Sequence, residues 1–90
     1  MFVKRKRLRK RRCRLYEAFK FVYGESSLRE VSSFLGDLGK LVDTPGCAWI
    51  VTKEGRIICT GQYLLKDDRR GRILSFDPLI FYDWFERWDI

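Results

Sequence analysis

Between Lys4 and Arg14, nine of eleven residues are basic: Lys4, Arg5, Lys6, Arg7, Arg9, Lys10, Arg11, Arg12 and Arg14. Like charges at this density repel one another, and a core cannot take them unless each finds a partner. The run therefore limits where a fold can begin. Residues 15–90 hold ten basic against twelve acidic residues, so the net charge of +7 comes from the run and the remainder carries −2. This division predicts a basic arm over 1–14, flexible or helical on binding, ahead of a single compact domain over 15–90. Leu8 alone gives the arm no anchor, so its removal is expected to leave the fold intact.

The remainder has the material for a core, since 46% of the chain is hydrophobic and 16% is aromatic. Residues 15–23 fit a helical face through Leu15, Phe19, Val22 and Tyr23, and alternation through Leu15, Phe19, Phe21 and Tyr23. Gly24 as a stop and the pair Glu17–Ala18 favour helix. Ser27-Leu28-Arg29-Glu30 has the form of a capping box. Leu28, Val31, Leu35, Leu38 and Val42 then recur at helical spacing, predicting a helix over about 28–41. Gly39 would end it early, or Ser32 and Gly36 would let another backbone approach.

After Thr44-Pro45-Gly46, the β-branched and aromatic runs 48–52 and 56–60 flank the turn Lys53-Glu54-Gly55 as a hairpin. Gly61 reads as a bulge through which the second strand continues to Leu65. A polar turn over 66–71 leads to a third strand over 72–76. Asp77-Pro78 starts a last helix, expected to reach Trp88. The expected fold class is α+β: a small two-layer domain with a three-stranded antiparallel β-meander and two or three helices, behind the basic arm.

The chain has no histidine, which excludes Ser-His-Asp and Cys-His nucleophiles and His-ligated metals. Cys13, Cys47 and Cys59 are odd in number and form no C-x-x-C, so neither a metal site nor a disulfide scaffold is expected. Cys47 and Cys59 read as reduced, buried core thiols, although a cross-hairpin pairing stays open. No apolar stretch reaches the length of a membrane span, and no hydrophobic segment follows the basic run as in a signal peptide. A reducing, cytoplasmic location without integral membrane association is expected, with nuclear import open in a eukaryotic cell. Asp67, Asp68, Asp77 and Asp83 read as turn, cap and surface carboxylates, and no glycine-rich phosphate loop occurs. The expectation is therefore no enzyme, no cofactor and no metal.

The basic run is the strongest functional signal. Six of its nine cations are arginine, whose planar fork grips phosphate in a bidentate way. Counterions released from a nucleic-acid backbone supply affinity that needs no base recognition. Lys4 through Arg14, joined by Arg69, Arg70 and Arg72 on the second hairpin turn, form the candidate surface for RNA or DNA. Asp67 and Asp68 directly precede that turn and cancel much of its field, so a plain polar turn competes with a binding loop. The run itself has three other readings: a solvated charge run, a transport address, or a patch for an anionic membrane surface with Phe2 and Val3 as weak anchor.

A second hypothesis rests on the other end of the chain. Phe81, Trp84, Phe85 and Trp88 share one face of the expected last helix, with Ile80 alongside. Most of that face should close the core, while Tyr82, Trp84 and Trp88 are candidate partner-binding residues. The chain is then a protein-interaction or inhibitor module docking on a host enzyme. Small phage and viral host-modulating proteins share its size and lack of motifs, which is an analogy only. Exposed aromatics would also permit a homodimer. Trp49 and Tyr63 would offer base-stacking platforms only on an open sheet face, and core packing is the expected role.

Overall fold

The computed structural model describes residues 2–6, 15–24 and 27–87. Arg7 to Arg14 and Trp88 lie outside the described residues. The expected α+β layering is replaced by a mostly β fold, with 53% of the described residues in strands and 24% in helices.

Two antiparallel sheets carry it. The first strand, β1 (Phe2–Arg5), pairs with β2 (Leu15–Phe21). Helix α1 (Leu28–Leu35) and a 3-10 turn (Gly36–Leu38) lead into the small sheet of β3 (Gly39–Thr44), β4 (Cys47–Thr52) and β5 (Ile57–Cys59). The chain returns to the first sheet as β6 (Gln62–Asp67) and β7 (Arg72–Phe76). Helix α2 (Pro78–Trp84) then gives way to β8 (Phe85–Arg87). The large sheet has the order β7-β6-β2-β1-β8, and the small one β3-β4-β5.

Four expectations are overturned, each for a local reason. The start of the basic segment is no arm. Val3, fully buried, sits in register with Tyr16 on one side and Arg87 on the other, so β1 lies inside the large sheet. Residues 15–21 form a strand instead of a helix. Ala18 is buried on one face of β2 and Phe21 on the other, because the strand is covered on both sides, and two-sided burial blurs the alternation that marks a strand.

The expected helix over 28–41 stops at Leu35. Gly36 takes φ +53° and ψ −125°, a conformation that side chains avoid, and its N–H closes onto the Ser32 carbonyl. Ser27 stands at the N-cap but makes no side-chain cap bond. Gly39 opens β3 where a Cβ would lie 3.2 Å from the Val51 carbonyl oxygen, so the small residue serves close strand packing. Leu38 and Leu41 still reach the core, from a turn and a strand. Gly61 is likewise no bulge. The turn there ends β5 and passes the chain to the other sheet, with Gly61 N–H donating to the Phe21 carbonyl at 2.7 Å.

Other features follow the sequence closely. Thr52 N–H bonds the Arg56 carbonyl across the Lys53–Gly55 turn. The Asp77 carboxylate accepts from Leu79 N–H at 3.0 Å and caps α2, with Pro78 in the first turn.

The large sheet is the central layer. One face carries Phe21, Leu64 and Ile73, which meet Val31, Phe34 and Leu35 of α1 and Ile50 and Ile58 of the small sheet. The opposite face carries Val3, Ala18, Tyr63 and Leu65, which pack with Phe81 and Phe85.

Two stability measurements check this arrangement by chemical denaturation. Val3→Ala should cost about 1–3 kcal/mol, because it opens a cavity in a central strand, whereas a true arm would show no change. Gly36→Ala should cost about 1–3 kcal/mol by placing a Cβ in a strained backbone region.

Candidate functional site

Alternation along five strands sends one set of side chains to the α2 face of the large sheet. The helix covers only part of that face. Phe81 lies flat on Tyr63, ring centroids 4.1 Å apart, and Phe85 packs edge-on against Phe76 and Tyr16. Beside this cluster the sheet is open, and a cleft of about 560 Å³ remains. Its lining comes from the whole length of the chain: Arg5 of β1, Tyr16 of β2, Leu65 and Asp67 of β6, Arg69 and Arg70 of the turn, Arg72, Leu74 and Phe76 of β7, Trp84 at the end of α2, and Phe85.

Leu65, Asp67 and Phe85 are the buried floor, Tyr16, Arg72, Leu74 and Phe76 are half-buried walls, and Arg5, Arg69, Arg70 and Trp84 are the exposed rim. The Arg5 guanidinium carbon stands 4.9 Å from the centroid of the Trp84 ring, a cation–π contact that holds both at the rim. Arg72 Nε lies 3.5 Å from an Asp67 carboxylate oxygen, which balances that nearly buried charge. The same Nε–H is buried and makes no hydrogen bond. Arg69 and Arg70 form no ion pair among the described residues. Four arginines thus face one carboxylate, itself engaged by Arg72, and Asp68 does not line the cleft.

The twelve cations expected to bind nucleic acid are therefore divided. Arg5, Arg69, Arg70 and Arg72 are brought together. Lys4 projects from the other face of β1 and pairs with Glu86 at 3.1 Å, its cross-strand neighbour. Lys6 closes the C-terminus of α2: its backbone N–H donates to the Trp84 carbonyl at 2.8 Å and its ammonium to the Tyr82 carbonyl at 2.5 Å. Arg7, Arg9, Lys10, Arg11, Arg12 and Arg14 lie outside the described residues, as does Trp88.

The expected aromatic face of the last helix also divides. Phe81 and Phe85 are buried, but Trp84 is 46% exposed, Tyr82 55% and Ile80 50%. The helix ends at Trp84 because Phe85 is extended and pairs with Arg5 in β8. Tyr63 is buried under Phe81 and offers no stacking platform. Trp49 lies on the outer face of the small sheet, in register with Cys59. Cys47 and Cys59, expected as buried thiols, are both free and exposed there. The walls Tyr16, Leu74 and Phe76 were missed as site residues. The alternation Arg72, Leu74, Phe76 in β7 carried the signal, since it puts an arginine and two apolar side chains on one face.

Among the described residues, no three His, Cys, Asp or Glu side chains gather as they would to hold a metal ion. No helix there is long and apolar enough to cross a membrane. No protein-family model, curated protein or solved structure matches this chain.

One titration reports on the packing under α2. Tyr63 donates to or accepts from Tyr82, their hydroxyl oxygens 2.6 Å apart. Burial first, and then this bond, push the Tyr63 phenol up from 10.0 to about 12. The folded state holds that proton more tightly than the unfolded chain. Stability linked to it is therefore complete below about pH 10 and falls as pH rises towards about 12. Tyr63→Phe should flatten this alkaline decline, as read by denaturant midpoints of both proteins across that range.

Proposed function

We propose that this chain binds nucleic acid through largely sequence-independent phosphate contacts. The observation that carries the reading is the meeting of Arg5 with Arg69, Arg70 and Arg72 around one cleft. That juxtaposition joins the basic run near one end of the sequence to the hairpin turn near the other. Phosphates entering there face four guanidinium groups, and the neutralisation that makes a plain polar turn attractive is weakened. Asp67 is held by Arg72, and Asp68 does not line the cleft. Arg72 Nε–H is a donor that a phosphate oxygen would satisfy after a small turn of the side chain. The run beyond Lys6 adds six more cations in the sequence. Free thiols at Cys47 and Cys59 favour a reducing, cytoplasmic setting for this activity.

A protein-docking role for α2 has one observation in its favour. Leu79 is 81% exposed, and it stands with Ile80 and Tyr82 as an apolar group on the outside of the helix.

Salt dependence of binding is the test. With a generic oligonucleotide, the full chain should give a log–log salt slope of about −5 to −8, as roughly six to nine neutralised phosphates imply. Replacing Arg69 and Arg70 together by glutamate should weaken binding at every sequence and make the slope shallower by about 2. Both side chains are exposed, so the fold should persist. A chain that binds no nucleic acid at low salt would reject the proposal and turn attention to α2.

A further inference from the structure

Resting on that reading, we infer that the cleft receives an unpaired base, so that the nucleic acid this chain prefers is single-stranded. Phosphate contact alone does not account for the recess. Arginines on an open convex surface would suffice to follow a backbone. Here they stand at the rim of a recess whose floor and walls combine the Asp67–Arg72 pair with the apolar side chains of Leu65, Leu74, Phe76 and Phe85. At about 560 Å³ the recess falls within the range of roughly 300–1,000 Å³ that encloses small organic ligands. A base with its sugar belongs to that size class.

The bases of a duplex cannot reach such a floor. They are stacked and paired inside the helix, and only phosphates and groove edges reach the surface. An unpaired base can turn out of its strand, leave its phosphates on Arg69 and Arg70, and place its ring in the recess. Trp84 supplies the platform. It is 46% exposed at the rim, and Arg5 lies over one face of its ring, so the base takes the other face with positive charge close by. Stacking needs no particular base, which agrees with phosphate-led binding.

The test compares four probes of equal length by fluorescence anisotropy with the full chain: single-stranded DNA, single-stranded RNA, a blunt DNA duplex and an abasic sugar-phosphate strand. At least one intact single strand should bind about tenfold or more tighter than the duplex. It should also bind roughly 5- to 150-fold tighter than the abasic strand, the range given by stacking of one base. Trp84→Ala should lose a similar factor on the intact strand, and Trp84→Phe should recover most of it. Removal of the bases and Trp84→Ala should not compound, because both delete one contact. The abasic comparison uses the unaltered protein and so stays decisive if the alanine variant folds poorly. Equal affinity for intact and abasic strands, or for strand and duplex, would overturn this inference and leave phosphate-led binding standing. Failure of all four probes to bind would overturn both.

Discussion

A strand of four residues, Phe2–Arg5, is held between β2 and β8, and the cleft side of the molecule depends on that placement. The difficulty is electrostatic. Three consecutive cations, Lys4, Arg5 and Lys6, must sit beside a hydrophobic core at the edge of a much longer basic run. Each obtains a different partner: a carboxylate for Lys4, an indole face for Arg5, and the carbonyls at the end of a helix for Lys6. Val3 adds apolar burial. With those four contacts in place, β8 has a strand to pair with, α2 has a closed C-terminus, and Trp84 is fixed at the rim.

The parts of the fold that were legible in the sequence are those specified locally. The Lys53–Gly55 hairpin turn, the start of β7 and the Asp77-Pro78 cap each depend on backbone preferences within a few residues. What was not legible depends on contacts made at long range. Residues 15–21 bury side chains on both faces because Phe21 joins the cluster around α1 and Ala18 the opposite cluster around Phe81 and Phe85, and nothing in that segment announces two covers. Leu38, Leu41 and Val42 keep helical spacing although the chain has turned at Gly36. Leu38 and Leu41 meet the core by another route, while Val42 falls in register with Trp49 on the outer face. The run at Lys4 looked like solvent-facing charge because its partners, Glu86, Trp84 and the Tyr82 carbonyl, lie at the opposite end of the chain.

The candidate site shows the same division. Arg69, Arg70 and Arg72 were recognisable as a cluster, and Arg5 as one of nine cations. Their convergence was not, since it follows from the strand order β7-β6-β2-β1-β8. That order places β7 and β8 at opposite edges of one curved sheet, and Phe76–Phe85 contact joins the edges through side chains. The concavity between them gives the arginines apolar neighbours. A cation beside low-dielectric walls attracts an anion more strongly than the same cation on an open surface. The aromatic content of the C-terminal segment therefore contributes to the core, through Phe81 and Phe85, and to the rim, through Trp84.

The pairing of Val3 with Arg87 has a further consequence for how the molecule comes into being. A sheet in which β1 pairs with β8 closes only through a contact of high sequence separation. The small sheet and α1 depend on nearer neighbours and can assemble earlier. Until residue 87 has been made, β1 has one open edge and α2 lacks its final strand. Folding of the cleft half is thereby a late, long-range event, and the site exists only once the two ends of the described chain have met.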